Sequence, residues 1–340
     1  MTQQAAIFGC QGTTLTEDEK CFFRDASPWG FIVFARNIEA PDQLRALTAS
    51  LRETVGYDAL VLIDQEGGRV ARLRPPHWRR YPPARLYGEL YERAPEAGLA
   101  AARLGSQLIA AELTDVGVDV DCLPVLDVPV PGAHDIIGDR AYSTLPDTVT
   151  AVARAAAEGL LAGGVLPVIK HVPGHGRAGV DSHEKLPVVD TPLETLRVTD
   201  FVPFKELSDM PLAMTAHVVY SAIDPENPAT ASAKVIRDVI RGEMGFLGLL
   251  MSDDLSMQAL EGSLGERTRT ALDAGCDMVL HCNGDMTEMK AVAAEAPLLA
   301  GEAGTRAETA IRKWKRPPMG FDAGTGYARL QELLGMSLTA

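Results

Sequence analysis

The chain lacks several features that would assign it at once to a class of protein. Its five cysteines are scattered and form no Cys-x-x-Cys pair, which favours reduced thiols over a disulfide framework. No apolar run reaches the length of a membrane-spanning helix, and no basic segment followed by an apolar core suggests a signal peptide. We therefore expect a cytoplasmic protein that does not engage a membrane.

An excess of basic residues is also missing. The chain has 46 acidic residues against 32 lysines and arginines, so its formal net charge at pH 7 is −14. A nucleic-acid-binding protein needs a basic surface, and this balance argues against such a partner. No internal repeat, low-complexity tract or linker divides the 340 residues. We expect one domain over residues 1–340, and a monomer.

Short apolar runs alternate along the chain with stretches of helical periodicity. The predicted strands are Ala6–Gly9, Phe31–Phe34, Leu60–Ile63, Val118–Leu126, Pro167–Lys170, Leu212–Thr215, Leu249–Ser252 and Met278–His281. The predicted helices are Pro41–Thr54, Leu99–Asp115, Val149–Ala162, Leu193–Leu207, Ala231–Arg241, Glu266–Ala274 and Thr287–Ala296. Eight strands that alternate with helices predict an α/β fold, a single (β/α)8 TIM barrel. A doubly wound open sheet is the alternative, but no glycine-rich dinucleotide fingerprint follows the first strand.

The densest cluster of reactive side chains follows the fifth predicted strand. It reads Lys170-His171-Val172-Pro173-Gly174-His175-Gly176, and Asp181-Ser182-His183 comes shortly after. The glycines and the proline prevent a regular helix or strand here, so the residues lie on a loop. α/β enzymes carry their active sites at the carboxyl ends of strands, which makes this loop the leading candidate for a site.

Polar residues follow the other predicted strands as well. They are Asp64 and Arg72 after the third, Asp127 and Arg140 after the fourth, His217 after the sixth, Asp253 and Asp254 after the seventh, and His281 after the eighth. The position of Asp253 directly at a strand end indicates a functional residue. Asp254 could be either a site residue or the cap of a helix. His217 could equally be a site residue or a core histidine. We expect His134 and His281 to be structural or merely exposed, and His77 to pack within a loop.

The histidines of the loop raise the alternative of a metal site. His171, His175, Asp181 and His183 have side chains that bind zinc, but a His-x-x-x-His pair needs a helix to present both rings on one face. Pro173 and Gly174 lie between them. From the residues alone, a barrel metallohydrolase therefore stays a minor alternative.

Four segments together resemble the bacterial β-N-acetylhexosaminidases of glycoside hydrolase family 3. They are Asp64-Gln65-Glu66-Gly67-Gly68-Arg69-Val70, Gly138-Asp139-Arg140, the loop from Lys170 to His183, and Ser252-Asp253-Asp254-Leu255-Ser256-Met257. The resemblance extends over almost the whole chain. One departure is Val172, where the family more often has phenylalanine, and this apolar exchange leaves the neighbouring roles unchanged.

The resemblance implies a site without metal or cofactor and a role for each matching residue. Asp253 corresponds to the nucleophile, His183 to the general acid/base and Asp181 to the carboxylate paired with that histidine. The residues that correspond to sugar-holding groups are Asp64, Arg72, Arg140, Lys170 and His171. Retaining hydrolysis needs an attacking carboxylate and an acid for the leaving oxygen, and a histidine has a suitable pKa for the second task.

The activity implied by the resemblance is a retaining exo-β-N-acetylglucosaminidase of cell-wall recycling. Its substrate would be a muropeptide or another amino sugar, such as GlcNAc-1,6-anhydro-MurNAc with or without a peptide. A phosphorylase that uses the same Asp/His machinery is the main alternative. A non-catalytic sugar-binding protein is a third, against which the complete set of Asp253, His183 and Asp181 argues.

Overall fold

The computed structural model describes residues 3–182, 185–316, 320 and 322–336. Its strands are β1 (Gln4–Gly9), β2 (Pro28–Val33), β3 (Leu60–Ile63), β4 (Val120–Asp121), β5 (Leu166–Val172), β6 (Val188–Val189), β7 (Leu212–Thr215), β8 (Val219–Tyr220), β9 (Asp224–Pro228), β10 (Leu249–Asp254) and β11 (Met278–His281). Eight of them close a barrel in the order β1-β11-β10-β7-β5-β4-β3-β2, and all neighbours in it are parallel. The predicted (β/α)8 barrel is confirmed.

Helices surround this barrel. They are α1 (Glu17–Ala26), α2 (Pro41–Val55), α3 (Ala84–Arg93), α4 (Pro95–Asp115), α5 (Pro146–Ala162), α6 (Leu193–Val198), α7 (Phe201–Glu206), α8 (Leu264–Ala274), α9 (Met286–Glu295), α10 (Gly301–Thr309) and α11 (Ala323–Leu334). A π-helix over Val235–Glu243 occupies the position of the helix between β7 and β10. No helix in the described part of the chain is both long enough and apolar enough to cross a membrane.

The barrel strands bury both of their faces. Side chains such as Ile7 and Leu62 fill the barrel interior, and their neighbours Phe8 and Val61 pack against the helices. A parallel strand covered on both sides has no polar face, so its sequence is a continuous apolar run. This explains why the strands could be predicted from short apolar runs without any alternation.

Two predicted elements are interrupted in the structure. The strand predicted over Val118–Leu126 is reduced to β4, because Pro124 has no N–H to donate to the next strand, although Leu126 N donates to Lys170 O at 2.7 Å. The helix predicted over Leu193–Leu207 is broken into α6 and α7. In a continuous helix Pro203 would remove the hydrogen bond to residue 199 and clash with its carbonyl group.

A small three-stranded sheet, in the order β6-β8-β9, was not predicted from the sequence. Val219 N donates to Pro187 O at 2.9 Å, so this sheet joins the chain after the Asp181 loop to the chain after β7. It therefore anchors one end of the loop that carries the predicted acid/base.

Candidate active site

The carboxyl ends of the barrel strands surround a pocket of about 360 Å³. This volume falls within the range of small-molecule sites. Six of the predicted site residues line it together, namely Asp64, Arg72, Arg140, Lys170, His171 and Asp253. These side chains come from segments far apart in the sequence, and the closure of the barrel brings them together.

Asp64, one residue past β3, is held by two cations. Its Oδ1 accepts a hydrogen bond from Lys170 Nζ at 2.9 Å, and its Oδ2 accepts one from Arg72 Nη2 at 3.1 Å. Burial disfavours the ionised carboxyl, but the charges of Lys170 and Arg72 outweigh burial and lower the pKa of Asp64. Asp64 is therefore a carboxylate at neutral pH and can accept hydrogen bonds from a ligand.

Glu66 belongs to the same charge network, and the sequence analysis assigned it no role. Its carboxylate accepts from Arg140 Nε at 2.9 Å and Nη2 at 2.8 Å, and it lies 2.6 Å from Lys170 Nζ. Burial opposes its ionisation, but Arg140 and Lys170 outweigh burial and lower the pKa of Glu66 to about 2. The sequence held a sign of this role, because Glu66 comes two residues after Asp64, just past a strand. Residues two apart in an extended chain point to the same side.

Lys170 and His171 lie near the carboxyl end of β5 and are joined by a cis peptide bond. The Lys170 side chain is almost fully buried. Burial alone would lower its pKa, but Asp64 and Glu66 outweigh burial and raise the pKa of Lys170 above its ordinary value. Lys170 is therefore a permanent cation at the floor of the pocket.

Asp127, from the segment after β4, orients the pocket histidines. Its Oδ2 lies 2.7 Å from His171 Nδ1, and its Oδ1 accepts from the backbone N of His171 at 3.2 Å and of His175 at 2.6 Å. Burial opposes its ionisation, but His171 and these hydrogen bonds outweigh burial and lower the pKa of Asp127 to about 2. This ionised aspartate fixes the ring of His171.

His175 also lines the pocket, with its Nε2 3.0 Å from Ser182 Oγ. Burial and the neighbouring His171 lower the pKa of His175 to about 4. The ring of His175 is therefore neutral at neutral pH and has no extra proton to give.

The two adjacent aspartates at the end of β10 have different environments. Asp254 stabilises the turn after the strand: its Oδ1 accepts from the backbone N of Ser256 at 3.1 Å and of Cys282 at 3.2 Å, and its Oδ2 accepts from Ser256 Oγ at 2.6 Å. Asp253 Oδ1 accepts from the backbone N of Asp254 at 2.8 Å. Asp254 thus has a structural role in a turn rather than the helix cap that was one alternative.

Three other histidines of the described residues do not line the pocket. His217 is fully buried, with Nδ1 2.7 Å from Thr230 Oγ1 and Nε2 3.0 Å from Asp254 O, and is therefore a core histidine. His281 is also fully buried, and its Nε2 lies 3.6 Å from a carboxylate oxygen of Glu288. His134 is exposed and accepts a turn hydrogen bond through its Nδ1.

The predicted catalytic pair is only partly described. Asp181 is half-buried, its backbone O accepts from Lys185 N at 2.9 Å, and it is not among the side chains that line the pocket. Ser182, next to it, is buried and does line the pocket. His183 lies outside the described residues, so its pairing with Asp181 stays a prediction. No group of three or more His, Cys, Asp or Glu side chains within the described ranges could hold a metal ion.

The comparison with known protein families decides the assignment. Residues 15–311 match the family described as glycosyl hydrolase family 3 N terminal domain. The chain belongs to glycosyl hydrolase family 3. The family expected from the four sequence segments is therefore confirmed.

Similar proteins of this family include curated β-hexosaminidases. Those of Nitrosomonas eutropha and Methylococcus capsulatus are each 43% identical to the chain, over 276 and 281 residues. The first alignment covers 80% of this chain and 78% of the relative, and the second covers 82% of each. NagZ from Neisseria gonorrhoeae in complex with N-trifluoroacetyl-D-glucosamine is a similar solved structure, with a TM-score of 0.86, 30% identity and 98% of both chains covered. The family 3 chain is a glycoside hydrolase of the β-N-acetylhexosaminidase type.

Proposed function

We propose that this family 3 hydrolase is a retaining exo-β-N-acetylglucosaminidase that releases terminal β-linked N-acetylglucosamine from peptidoglycan fragments in cell-wall recycling. The substrates would be GlcNAc-1,6-anhydro-MurNAc, with or without its peptide. The observation that carries the proposal is the pocket itself, in which Asp253 is grouped with the ion-paired cluster of Asp64, Arg72 and Lys170. A carboxylate at a strand end beside fixed cations and acceptors suits attack on a polar sugar.

Asp253 is our candidate for the nucleophile, by comparison of the pocket carboxylates. Both oxygens of Asp64 are held by cations, and both oxygens of Asp254 accept hydrogen bonds within the turn. Asp253 is the residue before Asp254 in the same strand, and it also lines the pocket. Attack by its carboxylate on the anomeric carbon would form a glycosyl ester and expel the aglycone oxygen, and water would then hydrolyse the ester with retention.

A general acid is needed to protonate the departing oxygen. Asp64 is ionised, and His175 is neutral because its pKa lies at about 4, so neither group supplies that proton at neutral pH. We propose that His183 is the acid and that Asp181 supports its protonated form. The position of Ser182, between them and at the pocket, supports this assignment.

The cations of the pocket would hold the sugar. Lysine and arginine make charge-assisted hydrogen bonds to hydroxyl and carbonyl oxygens, and the Asp64 carboxylate accepts from hydroxyl groups. We assign Arg72, Lys170 and His171 with Asp64 to the sugar hydroxyls. We assign Arg140 and its neighbours to the 2-acetamido group.

A turnover assay tests the proposal. The enzyme should hydrolyse a chromogenic β-N-acetylglucosaminide with or without phosphate, and proton NMR should show that the β-anomer of N-acetylglucosamine is released first. The fragment GlcNAc-1,6-anhydro-MurNAc should be cleaved as well. Formation of N-acetylglucosamine 1-phosphate, with a rate that depends on phosphate, would favour the phosphorylase instead. First release of the α-anomer would contradict a retaining mechanism.

A further inference from the structure

We propose that Glu66 is a positioning residue that sets the selectivity of the pocket for 2-acetamido sugars. It would do so by fixing the donors that Arg140 and Lys170 present to the substrate. The inference rests on the proposed function, in which these two cations contact the sugar.

Glu66 contacts both cations from outside the pocket. Arg140 and Lys170 line the pocket, whereas Glu66 does not and instead borders a small internal cavity together with Tyr87 and Tyr142. Its side chain is only 3% exposed. The carboxylate therefore acts on the substrate through the two cations and not by direct contact.

The hydrogen-bond geometry limits what Lys170 can offer to a ligand. Its ammonium group has three N–H donors. Asp64 accepts a hydrogen bond from one of them at 2.9 Å, and the Glu66 carboxylate forms an ion pair with the same nitrogen at 2.6 Å. Among the contacts of the described residues, the ammonium group is therefore held between two carboxylates, and Glu66 helps to fix the direction in which its remaining donors point.

Arg140 is constrained in the same way. Its guanidinium group has five N–H donors. Glu66 takes the Nε donor and one Nη2 donor in a bidentate pair, and Ile136 O accepts one Nη1 donor at 3.1 Å. Within the part of the chain that the structure describes, one donor on each terminal nitrogen is left, and both lie in the plane of the guanidinium group that Glu66 holds. A carbonyl oxygen such as that of an acetamido group is a suitable acceptor for donors fixed in this way.

Glu66 also balances charge. Arg72, Arg140 and Lys170 carry three positive charges close to Asp64 and Glu66. Without the charge of Glu66, Arg140 would be attracted to the remaining carboxylates Asp64 and Asp127, and Lys170 to Asp64. Their donors would then turn away from the substrate.

The test compares Glu66→Gln with a matched control, Asp277→Asn. Asp277 is also a buried carboxylate that bridges two arginines, Arg241 at 2.7 Å and Arg306 at 2.8 Å, but it does not line the pocket. For wild type and both variants, kcat and KM are measured on an aryl β-N-acetylglucosaminide and on the matching aryl β-glucoside.

Glu66→Gln should lower kcat/KM on the N-acetylglucosaminide more than on the glucoside, so that the ratio of the two falls by about tenfold or more. Asp277→Asn should lower the melting temperature and leave the ratio unchanged. Added formate, which can occupy the space between Arg140 and Lys170, should partly restore this ratio in Glu66→Ala. Chloride at the same ionic strength should not restore it.

An equal loss on both substrates in Glu66→Gln would overturn the proposal. If this variant fails to fold, Glu66→Asp decides the question, because it keeps the charge and moves the carboxylate back by one methylene group. An unchanged ratio in Glu66→Asp would then contradict the positioning role. A wild-type enzyme that turns over neither glycoside would contradict the proposed function itself.

Discussion

At the scale of single residues, neighbouring side chains of one type have different tasks in this protein. Asp253 and Asp254 both line the pocket, but both carboxylate oxygens of Asp254 are used to hold a turn. The sequence predicted that Asp64, Lys170 and Asp253 would lie together, because all three lie at or just past the carboxyl ends of predicted strands. It did not predict the partners that fix the charges, since Asp127 and His171 are 44 positions apart and meet only in the closed barrel.

The proposed acid/base can be tested by a series of leaving groups. His183→Ala should slow substrates with poor leaving groups by orders of magnitude more than activated aryl glycosides, because only the former need a proton. His171→Ala is the matched comparison and should slow all aglycones by a similar factor, since that ring is assigned to the sugar. A uniform loss across the series in His183→Ala would contradict the assignment. The double variant Asp181→Ala/His183→Ala should be little worse than His183→Ala alone.

Asp121 in β4 is a fully buried carboxyl group, and its Oδ1 accepts from Gln65 N at 2.9 Å. Burial raises the pKa of Asp121 to about 8, so the folded protein keeps this proton between pH 4 and 8 while the unfolded chain loses it. As the pH rises through this range, the free energy of unfolding of wild type should therefore fall, relative to that of Asp121→Asn, by up to about 1.4 kcal/mol per pH unit. Urea unfolding at several pH values measures it, and parallel curves for the two proteins would contradict it.

At the scale of elements, apolar runs were sufficient to predict the barrel strands and the long helices α2, α4 and α5. The sequence did contain signals for two helix starts, since Thr16 with Glu19 and Ser263 with Glu266 form capping boxes before α1 and α8. Helix α1 was nevertheless not predicted from the sequence. The sheet of β6, β8 and β9 could not be predicted, because its two-residue strands are formed by tertiary contacts rather than by any local pattern.

Helix α11 follows the segment that matches the family, and it packs against α4. Leu330 is fully buried in this contact, and Tyr327 OH lies 2.8 Å from Tyr81 OH and also donates to Glu112. Leu330→Ala should lower the free energy of unfolding by about 3 kcal/mol, since it leaves a cavity at a packed interface. Because α11 does not line the pocket, kcat/KM should be unchanged well below the melting temperature. A variant as stable as wild type would show that α11 is not part of the cooperative fold.

At the scale of the whole molecule, the sign of the net charge does not describe the site. The chain has a formal charge of −14, yet Arg72, Arg140 and Lys170 meet in one pocket. Charges beyond about 8 Å are largely screened at physiological salt, so the pocket cations dominate what a bound sugar experiences. The closed barrel provides this concentration of charge, because it directs the ends of eight strands to one face.

Metal removal tests whether the molecule works through these side chains alone. The ring of His171 is hydrogen-bonded to Asp127, and the ring of His175 to Ser182. No group of three or more side chains able to hold a metal ion is found in the part of the chain that the structure describes. Exhaustive dialysis against EDTA should therefore leave kcat/KM on an aryl β-N-acetylglucosaminide unchanged. Activity that is lost and then restored by Zn²⁺ would support the metallohydrolase alternative.

The most direct test of the account is to identify the residue that bonds to the sugar. A mechanism-based fluorosugar related to N-acetylglucosamine should inactivate the enzyme and label one peptide, with the label on Asp253 in fragment mass spectra. Asp253→Ala should lower kcat by several orders of magnitude and take up no label. A label on Asp254, or continued turnover with no labelled peptide, would contradict Asp253 as the nucleophile.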